Sequence, residues 1–166
     1  MSNCFYDFFV RLYQKRRDKL IGNCYYFLNS LNSIAPSMIN LEEVKKVLVL
    51  APHPDDEAIG CGGTLRRLTE NGCRGETVFL TNGKKDKFGD HEEIARIRRN
   101  EALDSAKELG MGKSHFLDYY DRGLKPDDEI LEFVLSLLTE LNPDMVFSPF
   151  FLDNHPDHNE TAKILA

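Results

Sequence analysis

From residue 44 onward, short unbroken apolar runs alternate with longer segments whose apolar residues recur every three or four positions. Val47-Leu48-Val49-Leu50 is continuous and of strand length, as expected for a strand covered on both faces. Thr77–Leu80 and Met145–Phe147 repeat that pattern, and His115-Phe116-Leu117 is a weaker strand candidate. Helix signals lie between these runs. Asp90 with Glu93 three residues on reads as an N-cap and capping box, and Leu109-Gly110 as the matching stop. Pro126 with Asp127, Asp128 and Glu129 puts proline and negative charge in a first helical turn, after which Ile130, Phe133, Val134, Leu137 and Leu138 share one face. Alternating strands and helices predict βαβ units with right-handed crossovers. The expected fold is therefore α/β, a Rossmann-like three-layer sandwich with a mostly parallel sheet, over residues 44–166.

Residues 1–40 have a different texture. Phe5, Phe8, Phe9, Leu12 and Leu20 recur at near-helical spacing, and Arg11, Lys15, Arg16, Arg17 and Lys19 supply a basic face. A basic amphipathic helix is predicted. The apolar stretch from Cys24 to Leu31 would complete a helical hairpin, and Ala35-Pro36-Ser37 marks the boundary of this N-terminal extension. Such a helix either packs on the domain it precedes or makes peripheral membrane or partner contact through residues 1–20. Packing is the simpler of the two.

Composition narrows the field. At 166 residues with 42% hydrophobic and 29% charged, the chain suits one compact domain. Lys+Arg 21 against Asp+Glu 27 leaves a net charge of -6, which disfavours nucleic acid as a partner. Asp7, Arg11 and Lys15 break the most apolar N-terminal stretch, so no run approaches the roughly 18 residues that cross a bilayer. Its positive charges follow the apolar segment, which does not suit a secretory signal. Cys4, Cys24, Cys61 and Cys73 form neither a C-x-x-C pair nor a zinc-finger spacing. Free thiols and a cytoplasmic location are expected, and a homo-oligomer is compatible with this composition.

In open α/β sheets ligands bind beyond the carboxyl ends of the strands, so the residues after each strand carry the most information. The first strand runs into Ala51-Pro52-His53-Pro54-Asp55-Asp56-Glu57, where three acids and a histidine crowd together unless a cation relieves them. The last strand runs into Asp153-Asn154-His155-Pro156-Asp157-His158. The loops thus carry near-copies of one tetrapeptide, and a proline-opened turn would bring i and i+3 together in each. Zinc hydrolases commonly use three protein ligands and a water. His53, Asp56 and His158 make such a set, which iron or cobalt would also accept. Asp55 is then placed to take a proton from the zinc-bound water, and His155 to stabilise an oxyanion or protonate a leaving amine. The bland alternative for the first tetrapeptide is a proline-fixed loop whose Asp caps a helix; its recurrence after a second strand favours the metal.

These segments resemble the PIG-L/LmbE-like family of zinc-dependent N-acetylglucosaminyl deacetylases. Strand plus Ala-Pro-His-Pro-Asp-Asp-Glu-Ala-Ile-Gly-Cys-Gly-Gly-Thr resembles its first signature and Asp153–His158 its last. Leu80-Thr81-Asn82-Gly83, and Arg98-Arg99-Asn100-Glu101-Ala102 with Leu109-Gly110, resemble weaker middle ones. The resemblance implies zinc on His53, Asp56 and His158, Asp55 as base and His155 assisting. It also implies an N-acetylated amino-sugar conjugate as substrate, deacetylated by attack of a zinc-bound water. Asn82 stands where similar proteins usually have an aspartate. Family members continue past the last signature, whereas this chain stops at Ala166, so the resemblance predicts a domain truncated at its C-terminus.

Two other classes compete. Gly60-Cys61-Gly62-Gly63 suggests a nucleotide- or sugar-binding Rossmann-like module, but the phosphate fingerprint needs its glycines in the first turn after the strand. That turn holds two prolines and acids instead, so the glycines are expected to permit close packing of helix on sheet. The other rival is an inactive fragment that its basic N-terminal helix tethers to a membrane or partner.

Overall fold

The computed structural model describes residues 39–83 and 92–165. Within them strands and helices alternate as β1 (Lys46–Ala51), α1 (Asp56–Glu70), β2 (Arg74–Thr81), α2 (Glu92–Glu108), β3 (Ser114–Tyr119), α3 (Asp128–Leu141), β4 (Met145–Phe147) and α4 (Pro156–Ile164). The strands form one parallel sheet in the order β3-β2-β1-β4. Val49 of β1 lies opposite Thr77 of β2 on one side and Phe147 of β4 on the other. Being central, β1 is buried from Val47 to Ala51, as its unbroken apolar run predicts.

Side chains alternate across the sheet and build two cores. Val47, Val49, Ala51 and Phe79 meet Leu65 and Leu68 of α1 and Ala102 and Ala106 of α2. Leu48, Leu50, Val78 and Leu80 meet Ile130, Val134 and Leu137 of α3 on the opposite face. Helices on both faces of a parallel sheet make the expected three layers, and each fully buried Leu or Val contributes roughly 1.5–3 kcal/mol.

Helix ends follow local chemistry. α2 closes in a Schellman motif, with Gly110 N–H on the Lys107 carbonyl at 3.1 Å and Met111 N–H on the Ala106 carbonyl at 2.8 Å. Gly110 has φ 70, and a Cβ there would lie 2.9 Å from Thr69 Oγ1, so the predicted stop is sterically reserved for glycine. α3 is capped by Asp127, whose side chain accepts the Ile130 N–H at 3.0 Å, which leaves Pro126 before the cap instead of inside the first turn. The glycine cluster in α1 does not serve close packing on the sheet. A Cβ on Gly60 or Gly63 would meet nothing within 4 Å, and one on Gly62 would meet Leu109 at an ordinary 3.6 Å. The N-terminal helical extension with its membrane reading, and the Asp90 cap, lie outside the described residues. Among the described residues no helix is long and apolar enough to cross a membrane.

The chain moves outward from β1 through β2 to β3 and then returns to the other side of β1 for β4. Connections therefore diverge at the β1/β4 boundary and leave a crevice at the carboxyl ends of the strands. Both signature loops open there.

Candidate active site

The first loop leaves β1 at Ala51 and is braced from β2, where Thr81 donates its backbone N–H and its hydroxyl to the Pro52 carbonyl at 2.9 and 2.8 Å. A tight turn follows, in which the Asp56 N–H reaches the His53 carbonyl at 3.3 Å. Asp56 Oδ2 accepts the His53 N–H at 2.9 Å and lies 3.0 Å from His53 Nδ1. The expected i, i+3 meeting is therefore present. Asp55 sits between them as N-cap of α1 at φ 136 and ψ -25, and its side chain makes no capping hydrogen bond. Its carboxylate is thus not used as a helix cap.

In the second loop His155 caps α4, its Nδ1 accepting the Asp157 N–H at 3.3 Å, with Pro156 as the first helical residue. That bond makes Nδ1 the acceptor, so a neutral His155 carries its proton on Nε2. His158, one turn into α4, points Nε2 at Asp56 Oδ2 at 3.3 Å and Nδ1 at Asp153 Oδ2 at 3.1 Å. Asp153 in turn accepts the His155 N–H at 2.8 Å, which ties the loop to itself. The ring centroids of His53, His155 and His158 lie 4.7 to 5.5 Å apart. One nitrogen of each of these rings lies within 4.8 Å of the others.

Two residues outside the expected set complete the cluster. Asp157 is only 1% exposed; it meets His53 Nε2 at 3.1 Å and accepts the Arg122 and Leu124 N–H groups at 2.6 and 3.3 Å. Asp121, in the turn after β3, places Oδ1 3.4 Å from His53 Nε2 and 3.6 Å from His155 Nε2. The same attention to residues beyond strand ends points to Asp121 once β3 is accepted as a strand. Asp157 lies inside the second tetrapeptide, but its burial depends on the β3–α3 loop folding over it.

The charges are mutually supporting. Burial would raise the Asp56 carboxyl, but the hydrogen bond from His53 and the field of His158 outweigh it and hold the group below the usual carboxylate range. Burial would lower His53, yet Asp56 above all, with Asp157 and Asp121, keeps its pKa raised. Asp55 is held above its ordinary value by desolvation and by Asp56, against the opposing field of Arg98. Burial and neighbouring His53 lower His155. Cys61, nearby on α1, is pushed up to about 11 by burial and by Glu57, so it is not a thiolate nucleophile at neutral pH.

This donor set suits a divalent cation. His53 and His158 each turn one nitrogen to Asp56 Oδ2 and the other to a separate carboxylate, Asp157 or Asp153. Carboxylates behind histidines in this way fix the tautomer and ring orientation of metal ligands. Asp121 Oδ1 is buried yet makes no hydrogen bond of good geometry, an arrangement that a positive charge in the cluster would relieve. The same acids disfavour a phosphate at the start of α1, against the nucleotide-binding alternative.

Residues 48–166 match the PIG-L family, described as GlcNAc-PI de-N-acetylase. Diacetylchitobiose deacetylase of Thermococcus kodakarensis is 37% identical over 126 residues, covering 72% of this chain and 47% of that protein. A probable N-acetyl-alpha-D-glucosaminyl L-malate deacetylase 2 of Bacillus cereus is 33% identical over 125 residues, covering 69% and 56%. The solved N,N'-diacetylchitobiose deacetylase of Pyrococcus horikoshii superposes with a TM-score of 0.67 at 36% identity, covering 75% of this chain and 49% of that one. The chain thus spans about half the length of these relatives. With the family match running from the first buried strand through both histidine loops, the chain belongs to the PIG-L family of deacetylases.

Proposed function

We propose that the chain carries the metal-binding part of an N-deacetylase that hydrolyses the acetamide of an N-acetylglucosamine-type sugar to acetate and a free amine. The observation that carries this reading is the convergence of His53, Asp56 and His158 from two loops on one carboxylate oxygen, at 3.0 and 3.3 Å. His53, Asp56 and His158 would hold the ion. Zinc fits two imidazoles and a carboxylate, and iron or cobalt would accept the same donors. Bound zinc would supply Lewis-acid polarisation of the acetyl carbonyl and a water of lowered pKa.

Asp55 is the general base. Adjacent to a ligand yet free of capping duty, it accepts a proton from the attacking water as the new carbon–oxygen bond forms. His155 presents Nε2–H from the opposite loop to the oxygen that becomes negative when the carbonyl carbon is tetrahedral. As the carbon–nitrogen bond breaks, the amine nitrogen takes up the proton that Asp55 had accepted. Asp157 and Asp153 orient the two ligand histidines. The names of the relatives support the substrate class, since they are deacetylases of diacetylchitobiose and of an N-acetylglucosaminyl malate.

The test is amine release from N,N'-diacetylchitobiose by the zinc-loaded chain, with metal content measured in parallel. Asp55→Asn is expected to keep its zinc and lose about 10² to 10⁴ in turnover, the size of a general-base contribution. A chain that binds no zinc, or an Asp55→Asn variant of undiminished turnover, overturns the reading.

A further inference from the structure

Glu57 is a buried carboxylate that the reaction just described does not use. Only 1% of it is exposed, and both oxygens are engaged: Oε2 accepts the Asp55 N–H at 3.2 Å and Oε1 accepts the Ser105 hydroxyl at 2.8 Å. Ser105 belongs to α2, so Glu57 links the start of one helix to the body of the next. Its position in α1 is unusual. A capping-box glutamate sits three residues after the N-cap and reaches back to the N-cap N–H. Glu57 makes that reach from two residues after it, and the residue it holds is Asp55 at φ 136, a conformation that side chains other than glycine rarely adopt.

Non-glycine residues persist at such angles only where the surroundings over-determine them, and they cluster at functional sites. Here the surroundings are identifiable. The Asp55 carbonyl is committed to α1, accepting the Ala58 and Ile59 N–H groups at 3.1 and 2.9 Å. The Asp55 N–H is held by Glu57 alone among the hydrogen bonds seen at that group. Both ends of the residue are thus pinned while its carboxylate stays uncommitted to capping.

We infer that Glu57 is a positioning residue: bolted to α2 through Ser105, it holds the Asp55 backbone in a strained turn that aims the Asp55 carboxylate into the site. The inference rests on the proposed role of Asp55 as base. Glutamine can replace glutamate in this duty, since its carbonyl oxygen can accept the Asp55 N–H while its amide donates to the Ser105 oxygen. Alanine can do neither.

The experiment compares Glu57→Ala, Glu57→Gln and Ser105→Ala in the full chain. It reads zinc per chain, kcat and KM for amine release from N,N'-diacetylchitobiose, and hydrogen exchange of the Asp55 amide in the ¹⁵N-labelled protein. Glu57→Ala is expected to lower kcat by about 10²-fold, the cost of a small misplacement of a catalytic group, with KM within about threefold and zinc retained. Asp55 amide exchange should quicken by at least about tenfold. Glu57→Gln should restore most of the loss, and Ser105→Ala should fall between. Because Ser105→Ala leaves Glu57 in place, it remains informative if Glu57→Ala fails to fold. Unchanged Asp55 exchange in Glu57→Ala and Ser105→Ala, or Glu57→Gln as impaired as Glu57→Ala, would overturn the inference. If the unaltered chain lacks zinc or turnover, the deacetylase reading fails instead, and the exchange data alone decide the role of Glu57.

Discussion

Asp56 Oδ2 is the point on which His53 Nδ1 and His158 Nε2 both converge, so it is the position a cation would neutralise first. Ala replacements of His53, Asp56 or His158 should each remove most of the bound zinc, as measured by metal analysis after dialysis. His155→Ala should retain most of it, because that ring spends Nδ1 on capping α4. Asp153→Ala removes no ligand but frees His158 Nδ1, and should weaken zinc by about 10- to 100-fold, the usual effect of losing an outer carboxylate. Equal retention in all five variants would show that the ion binds elsewhere. A loss in His155→Ala as large as in His158→Ala would instead make the three imidazoles the ligand set, an arrangement their mutual approach within 4.8 Å permits.

At the start of α3, one carboxylate does two tasks. Asp127 caps the helix through Ile130 N–H and accepts the Tyr119 hydroxyl at the end of β3 at 2.9 Å. Burial and the Asp127 hydrogen bond push the Tyr119 phenol up to about 12. The Ile130 N–H, followed by the Tyr119 hydroxyl, holds Asp127 below its ordinary value. A carboxyl whose folded pKa is depressed adds stability that is complete above its unfolded pKa, near 4, and is lost as pH falls through the folded value. Asp127→Ala should therefore lower Tm by a few degrees at pH 7, with the gap to the unaltered chain closing as pH falls below about 4. Asp127→Asn, which can still cap but carries no charge, should lie between Asp127→Ala and the unaltered chain at pH 7. Thermal melts across pH check both, and a gap independent of pH would remove the charge from the account.

The molecule as a whole depends on two cores that share one sheet. Leu50 is 1% exposed and packs on the α3 side, so Leu50→Ala should cost about 2–5 kcal/mol in urea unfolding, the range for emptying a packed site. Leu135 is on the outer side of α3 at 64% exposure, and Leu135→Ala should stay within about 0.5 kcal/mol. Similar losses in both variants would mean that the outer face of α3 is covered in solution. The strand order β3-β2-β1-β4 also ties stability to the site, since emptying the core beneath β1 loosens the strand that leads into the loop of His53 and Asp56.

Unbroken apolar runs identified β1, β2 and β4 because strands of a sheet covered by helices turn apolar residues to both faces, even at β4, whose three residues are half-buried. The stop at Gly110 and the start of α3 were legible because helix ends are satisfied by short-range chemistry, although Asp127, expected inside the first turn, is the cap. The repeated tetrapeptide pointed to His53, Asp56, His155 and His158 because proline-opened turns bring i and i+3 together whatever surrounds them. Asp153 and Glu57 were not legible as site residues, and Asp121 was so only through the weaker reading of β3 as a strand. Each acts through a partner distant in the chain or through burial: Asp121 reaches His53, Glu57 reaches Ser105, and Asp153 matters only once His158 turns toward it. The misread glycines of α1 belong with them, since whether a helical glycine meets a sheet depends on the rotation of the helix, which tertiary packing sets. Local periodicity and capping thus determined the elements and the two loops. Only the return of β4 to the free side of β1 placed those loops at one crevice, because strand order is decided by which buried faces satisfy one another across the whole fold.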